Sequence, residues 1–312
     1  MSLEDYLYSK GLSKSTVKHY HKHTLDFLAW LDGQNAEAEQ ATAGDVTAWL
    51  NHLKNNKGQG NVTRSIALNV LKHFFDYQIS IQQRVNNPAR HLKIRGSKRK
   101  MLYPILSKAE LETIYQQYQV PADDAPIANR NWFRVYQLSR QRNKVVLGLM
   151  IWQGLTTPEI NHLTVNDLKL RAGIIYITGS RKSKERTMEL KPQQIIELME
   201  YQFTTRAALL KYCPATNENL FISAPAAGKT SGTGKDTMNI WKGLSKEVKA
   251  ICPRFINFKQ VRTSVITHWL SAYNLRQVQY MAGHKYVSST EGYQVNQMED
   301  LQADIDQYHP LG

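Results

Sequence analysis

The sequence predicts a mainly α-helical fold with a small antiparallel β-sheet, in which an all-α N-terminal domain precedes an α+β domain. Three observations lead to this prediction. The first 88 residues show only helical hydrophobic spacing, a basic stretch follows Asn87-Pro88, and one pair of β-rich segments lies near the middle of the chain. We therefore expect a helical domain over 1–88, a basic linker over 89–106 and a second domain over 107–312.

The composition excludes several classes of protein. Of 312 residues, 42% are hydrophobic and 21% are charged, which is typical of a globular chain. Lys and Arg number 40 against 26 Asp and Glu, and the net charge of +14 favours a polyanionic partner such as nucleic acid. No apolar run reaches bilayer length, no signal segment opens the chain, and Cys213 and Cys252 lack disulfide or metal-ligand spacing. We therefore expect a cytoplasmic protein with no membrane partner.

The N-terminal domain is predicted to be a group of amphipathic helices. Apolar residues recur at helical spacing over 17–31, behind the N-cap residue type Ser13, and again over 46–53 and 62–75. Acidic and basic residues nearly balance in this domain, so most of the positive charge lies farther along the chain.

The excess positive charge begins in the linker. Residues 90–100 contain no acid and six cations, namely Arg90, Lys93, Arg95, Lys98, Arg99 and Lys100. Such a run is either a solvated linker or a segment that follows DNA phosphates. We take the six cations as candidate DNA contacts because the stretch that carries them joins two compact segments of a strongly basic protein.

The second domain contains one clear β-hairpin pattern among its helices. Gly173–Gly179 is a short β-rich run, and Arg186–Leu190 is a plausible partner strand. The hairpin tip, Ser180–Glu185, carries three cations, Arg181, Lys182 and Lys184. A basic tip is either solvated surface or an anion-binding element.

Two later helices carry the residues best suited to chemistry. In the helix predicted after Asn257, Lys259 and Arg262 share one face and either hold an anion between them or are ordinary surface cations. The next predicted helix, 275–282, ends at Gly283, a natural left-handed terminator, so that His284 emerges from a fixed turn. We expect Gly283 and Gly292 to break the helical path and allow His284 and Tyr293 to converge.

Taken together, these segments resemble the tyrosine recombinases, the phage integrase family. The motifs that carry the resemblance are Ala282-Gly283-His284 with Tyr293 nine residues later, Val261-Arg262 through His268-Trp-Leu270, Lys184-Glu-Arg, Gly154-Leu155 with Glu159-Ile160, and Asn87-Pro88-Ala89. The resemblance covers nearly the whole chain in the family's order.

The resemblance implies an activity and roles for four residues. Family members cut and rejoin DNA through a 3′-phosphotyrosyl bond, without metal, ATP or another cofactor. Tyr293 would be the nucleophile, Arg262 would clamp the phosphate, Lys184 would protonate the leaving oxygen, and His284 would hold or relay a proton. The implied partner is duplex DNA with inverted-repeat core sites, bound by a homotetramer with a dimer on each site.

The family type implied is a two-domain, Xer-like or mobile-element integrase. The short region before the linker is expected to leave no room for an arm-binding domain. After Tyr293, apolar residues at helical spacing from Met298 to Tyr308 predict a helix that docks either on a neighbouring subunit or on its own domain.

Two positions depart from the family pattern. Lys259 stands where the family has a histidine, which keeps a phosphate donor, and Thr156 stands where it has its first arginine. A threonine hydroxyl replaces one hydrogen bond but no charge, so we expect a cation from elsewhere to supply it. The candidates are Arg142, Arg181, Lys182 and Arg254.

Two alternatives remain open at this stage. One is a sequence-specific DNA-binding protein of the same family with weakened or absent cleavage, and the other is a type IB topoisomerase-like enzyme.

Ser223–Thr230 superficially matches a nucleotide-binding loop, but Pro225 and the missing first glycine favour a flexible surface loop.

Overall fold

The computed structural model describes residues 1–96, 103–181, 183–213, 218–225 and 237–294. The chain divides into two compact units, Met1–Met101 and Leu102–Gly312. Among the residues singled out above, Lys98, Arg99, Lys100 and Lys182 lie outside the described residues. The predicted helix after Tyr293 and most of the 223–230 loop also lie outside them.

Four helices build the first unit. They are α1 (Leu3–Ser9), α2 (Lys14–Asp32), α3 (Ala43–Asn55) and α4 (Asn61–Ser80). Ser13 caps α2 as expected, and the box between Thr42 and Asp45 caps α3. The helices bury an aromatic core in which the ring of Phe27 contacts those of Trp49 and Phe75.

The chain after α4 packs on this unit before it leaves. Ala89 is fully buried in the core, and Leu92 and Ile94 pack against the same cluster. The ammonium of Lys72 donates to the Leu92 carbonyl at 3.0 Å, which holds the segment in place. Part of the segment that the sequence assigned to the linker is thus folded on the helical unit. The alternation of apolar and basic residues turns its cations outward, and Arg90, Lys93 and Arg95 are exposed.

The second unit is mainly helical with one small sheet. Its helices are α5 (Lys108–Gln117), α6 (Phe133–Trp152), α7 (Thr157–His162), α8 (Pro192–Glu200), α9 (Arg206–Tyr212), α10 (Met238–Ile251), α11 (Phe258–Leu270) and α12 (Leu275–Ala282). The strands are β1 (Leu168–Lys169), β2 (Ile174–Ile177) and β3 (Arg186–Glu189), paired antiparallel in that order. The predicted fold class is confirmed, and β1 is an additional strand.

The predicted hairpin forms, and its inner side chains join the core. Ile177 pairs with Arg186 and Ile175 pairs with Met188, and all four of these side chains are buried. A strand exposes alternate residues to opposite faces, so Arg186 is the one cation of β3 that the register turns inward.

Helix α11 carries Lys259 and Arg262 and contacts several elements of the second unit. It packs against α6 and α12, and α12 contacts β3. Val261 and Val265 of the predicted stripe are buried, and Asn257 caps the helix by accepting a hydrogen bond from the Gln260 amide. Among the described residues, no helix is long and apolar enough to cross a membrane, and no three metal-ligating side chains cluster.

Candidate active site

The turn after α12 fixes His284. Gly283 has φ of +67°, and the His284 amide donates to the Gln279 carbonyl at 3.0 Å. The His284 ring nitrogen Nδ1 lies 2.9 Å from the hydroxyl oxygen of Thr290, a buried residue. His284 is therefore held both at its backbone amide and at one ring nitrogen. The fixed turn at Gly283 is the one that the sequence predicted.

The hairpin tip meets this turn through the backbone. The Lys184 amide donates to the Gly283 carbonyl at 2.8 Å, and Ser183 pairs with His284 as an isolated antiparallel bridge. Lys184 is thereby anchored beside His284 while its residue remains exposed. A long cationic side chain on a fixed backbone can reach an anion that approaches the turn.

Arg262 joins three segments of the second unit. One terminal nitrogen of its guanidinium donates to the Gly154 carbonyl after α6, and the other donates to the Ala282 carbonyl at 2.6 Å. Its side chain is only 11% exposed, and it lies 3.8 Å from a carboxylate oxygen of Glu159. Burial lowers the pKa of Arg262, and the carboxylate of Glu159 opposes this effect.

Glu159 connects Arg262 to a second buried guanidinium. Its Oε1 accepts from Nη1 of Arg186 at 2.7 Å, and its Oε2 accepts from the amide and the hydroxyl of Thr156, each at 2.8 Å. Burial works to raise the pKa of Glu159. The hydrogen bond and charge of Arg186, and then the charge of Arg262, outweigh burial and hold this pKa below its usual value. The three charged side chains form what we call the buried triad, Arg186–Glu159–Arg262.

Tyr293 lies against His284. The chain is helical over 287–294, and the Tyr293 ring stacks on the imidazole with centroids 5.6 Å apart and planes 12° apart. The phenol is also a hydrogen-bond partner of the Arg262 guanidinium. The predicted convergence of His284 and Tyr293 is thus observed. Gly292 lies inside the helix, however, so the expectation that it breaks the path is wrong, and the turn at Gly283 alone brings the rings together.

The site therefore combines a phenol, an imidazole and a guanidinium at contact distance. Burial first, and then the charges of Arg262 and Arg186, lower the pKa of His284 to about 4, so its ring is neutral at pH 7. A neutral imidazole can accept a proton or donate one hydrogen bond. The arrangement suits an anion that touches Arg262 while the phenol oxygen faces it.

The low pKa of His284 predicts a pH-dependent stability. Because the folded value of about 4 lies below the ordinary 6.5, protonation favours the unfolded chain, and this histidine's contribution to stability is lost as the pH falls from about 6.5 to about 4. An NMR titration of the His284 ring, assigned with His284→Gln, should give a midpoint near 4. A midpoint at the ordinary value would contradict the assignment of burial and two neighbouring cations as its cause.

Several predicted residues lie elsewhere. Lys259 is exposed one turn before Arg262 on α11, and Arg181 is exposed at the hairpin tip. Thr156 is the N-cap of α7. Two candidates for the missing cation have other partners, because Arg142 is buried against the Ile222 carbonyl and the Asn143 side chain, and Arg254 pairs with Glu110. Each of these guanidiniums is already held by partners in another part of the second unit.

Sequence reasoning gave no role to Glu159, Arg186 or Thr290. Signals were present for the first two. Thr156 and Glu159 have the spacing of a capping box, which places the carboxylate at a helix N-terminus, and Arg186 occupies an inward position in the predicted strand. No local pattern marks Thr290, whose role depends on a tertiary contact.

Comparison with known proteins agrees with this fold. The model of the Phage integrase family matches residues 127–300, and the model of the phage integrase N-terminal SAM-like domain matches residues 1–83. A helical unit followed by a helical unit with a small sheet, and a tyrosine beside a histidine and an arginine, define a tyrosine recombinase. The chain belongs to the phage integrase family, as its motifs predicted.

Relatives match over almost the full chain. Tyrosine recombinase XerC of Psychromonas ingrahamii is 26% identical over 304 residues, which cover 96% of this chain and 92% of that protein. Tyrosine recombinase XerD of Oceanobacillus iheyensis is 26% identical over 319 residues, which cover 99% and 98%.

Solved structures share the fold at lower identity. XerH site-specific recombinase bound to palindromic difH substrate, in a post-cleavage complex, has a TM-score of 0.65 at 17% identity, covering 93% of this chain and 79% of that one. A lambda integrase dimer bound to a COC′ core site has a TM-score of 0.59 at 17% identity, covering 93% and 74%.

Proposed function

We propose that this protein is a site-specific DNA recombinase that cuts and rejoins duplex DNA through a 3′-phosphotyrosyl intermediate. The observation that carries the proposal is the contact of the Tyr293 phenol with both the His284 ring and the Arg262 guanidinium. A phosphodiester seated on Arg262 would lie beside the one phenol that this cluster holds.

Cleavage requires one bond to form and one to break. The oxygen of Tyr293 attacks phosphorus, the bond from phosphorus to the 5′-oxygen breaks, and the phosphate is transferred from that oxygen to the tyrosine. The phenol must lose its proton as it attacks, and the neutral ring of His284, on which Tyr293 stacks, is the proposed acceptor. Lys184 gives a proton to the departing 5′-oxygen, and Arg262 stabilises the negative charge on the non-bridging oxygens.

Rejoining is the same reaction in reverse. A 5′-hydroxyl from the partner duplex attacks the phosphotyrosyl bond, and the phenol takes back its proton. The tyrosyl ester keeps the energy of the phosphodiester, so this chemistry needs no ATP.

We propose inverted-repeat core sites and a tetramer, with a dimer on each site, since strand exchange between two duplexes needs four cuts. Support comes from solved relatives described as a dimer on a core site and a tetramer on a Holliday junction.

Charge on both units supports duplex DNA as the substrate. The chain carries a net charge of +14, and Arg90, Lys93 and Arg95 are held outward on the first unit by the buried Ala89 and its neighbours. Contacts of this kind with phosphates give salt-dependent affinity with little sequence preference. We propose that these cations, with Lys98, Arg99, Lys100, Arg181 and Lys182, bind the DNA backbone.

Thr156 favours a second candidate function, DNA binding without strand cleavage. It lacks the charge of the arginine that the family has there, and a transition-state donor of that kind is worth about 10²–10³ in rate. A protein without this charge could keep specific binding while losing chemistry. The experiment that follows separates the two functions.

We expect Tyr293→Phe to abolish covalent attachment to DNA and to preserve binding. The substitution removes only the nucleophilic oxygen and keeps the ring that stacks on His284. Wild-type and variant proteins are incubated with fragmented DNA from the source organism, denatured, and the protein–DNA adducts are recovered and sequenced. Tyr286→Phe is the matched control, because Tyr286 is an exposed tyrosine of the same segment and should leave adducts unchanged.

The pattern of adducts decides between the candidates. Wild-type adducts enriched at one inverted repeat, and absent from Tyr293→Phe, support a site-specific recombinase. Adducts scattered along the DNA indicate topoisomerase-like relaxation. If the wild type forms no adduct but shifts a specific DNA fragment in a gel, the protein is a binder and the proposed recombinase activity is wrong.

A further inference from the structure

The charge of the buried triad raises a question that the family pattern does not answer. Arg262 and Glu159 alone would sum to zero, because one guanidinium faces one carboxylate at 3.8 Å. A neutral pair offers a phosphodiester hydrogen bonds but no net positive charge. Arg186 brings the sum of the triad to +1, which matches the single negative charge of a phosphodiester.

Arg186 is also held in an unusual state for a buried cation. Its side chain is 0% exposed, and only Nη1 has a partner, the Glu159 carboxylate. Within the described part of the chain, Nε and Nη2 are buried without a hydrogen-bond partner. Such donors have lost their hydrogen bonds to water without replacement, and in a native protein each one calls for a structural or functional explanation.

The position of Arg186 places its charge at the phosphate site. A Cβ atom added at Gly283 would overlap Nη1 of Arg186, so this guanidinium lies directly against the turn that presents His284. Its charge contributes to lowering the pKa of both His284 and Arg262. In a buried site of low dielectric, a charge acts over several ångströms without touching the anion.

We propose that Arg186 supplies the second positive charge of the phosphate site, in place of the arginine that the family pattern has at position 156. It is a positioning and electrostatic residue, since it acts through Glu159 and through its field. The proposal rests on the proposed recombinase function. Two of the cations weighed from the sequence, Arg142 and Arg254, have other partners. Arg186, which was not among those candidates, is ion-paired within the site itself.

The first test compares two DNA linkages. On a nicked duplex carrying the recovered site, Arg186→Met should slow cleavage of a phosphodiester by about 10²–10³, and Arg186→Lys should lose less because it keeps the charge. Replacing one non-bridging oxygen of the scissile phosphate by methyl removes the negative charge that Arg186 is proposed to balance. Arg186→Met should therefore lose much less on this methylphosphonate. Equal losses on both linkages would mean a purely structural role and would overturn the proposal.

Exchange of the two positions gives a second test. Thr156→Arg together with Arg186→Met should recover cleavage relative to Arg186→Met alone, because the cation returns to the family position. The matched control is Arg254→Met, which also removes an arginine paired with a capping-box glutamate, but on the exposed surface, and should cleave at the wild-type rate. No recovery in the exchanged variant, at wild-type-like folding by circular dichroism, would contradict the proposal.

A third measurement does not depend on DNA cleavage. The His284 ring signal reports orthovanadate binding to the full-length protein, and Arg186→Met should raise the pKa of His284 and weaken vanadate binding, while Arg186→Lys should keep both closer to wild type. If the wild type cuts no DNA, the proposed function fails, and this binding series still decides the role of Arg186. Unchanged vanadate affinity in Arg186→Met would overturn it.

Discussion

Replacing Glu159 with glutamine should lower the free energy of unfolding by about 3–5 kcal/mol. The carboxylate is 9% exposed and accepts from Arg186 and from Thr156, with Arg262 at 3.8 Å. Glutamine has the same shape, but its amide group must turn one NH₂ toward a donor, and it leaves two buried guanidiniums without a counter-charge. Urea unfolding followed by tryptophan fluorescence measures the loss.

Glu110→Gln is the matched control for this prediction. Glu110 also closes a capping box, with Ser107, and also pairs with an arginine, but its partner Arg254 is 56% exposed. Glutamine can still close a capping box, so both substitutions keep the cap and remove an ion pair. The exposed pair should cost only about 0–1 kcal/mol. Similar losses at both positions would show that the triad is not held by buried charge.

Replacing Gly283 with alanine should destabilise the second unit by about 2–5 kcal/mol and abolish cleavage. Two effects combine in this loss. The backbone has φ of +67°, which costs an L-residue about 1–2 kcal/mol, and the added methyl group overlaps the Arg186 guanidinium. Relief of the overlap would move Arg186 off Glu159 or displace His284, and either movement disturbs the phosphate site.

Gly173→Ala separates the two contributions. Gly173 also ends a helical turn with φ of +65°, but a Cβ there meets only the Ile195 side chain at 3.4 Å. It should show the backbone cost alone, about 1–2 kcal/mol, and normal cleavage. In the double variant Gly283→Ala with Arg186→Met, the loss of stability should be smaller than the sum of the two single losses, because the shorter side chain removes the overlap. Additive losses would contradict the contact.

Local patterns predicted the framework of the site. The period of the apolar residues located α11, the alternation of β-rich residues located the hairpin, and the glycine after α12 located the turn. Each of these features depends on interactions within a few residues, such as capping and left-handed φ angles. The resemblance to a family then named Tyr293, His284 and Arg262 as a group, and the folded chain brings those three together.

The partners of the charged side chains could not be predicted from local patterns, because most of them are distant along the chain. Arg142 and Arg254 were reasonable donors of a missing charge, because no acidic partner of either stands close by in the sequence. Arg142 does bond its neighbour Asn143, but the Ile222 carbonyl and Glu110, which also hold these two arginines, are 80 and 144 residues away along the chain. Arg186 was considered only as part of the hairpin motif. Its partner Glu159 lies 27 residues away, too far for a local pattern to show the pair.

The sequence by itself thus determined the fold class, the family and the residues that meet at the turn after α12. Helix periods, caps and strand alternation are local properties, and a short window of residues contains their cause. The pairing of Arg186 with Glu159 and the burial of the triad were decided only when β3, α7 and α11 packed together. A charge selects its partner by distance and by the exclusion of water, and both exist only in the folded chain.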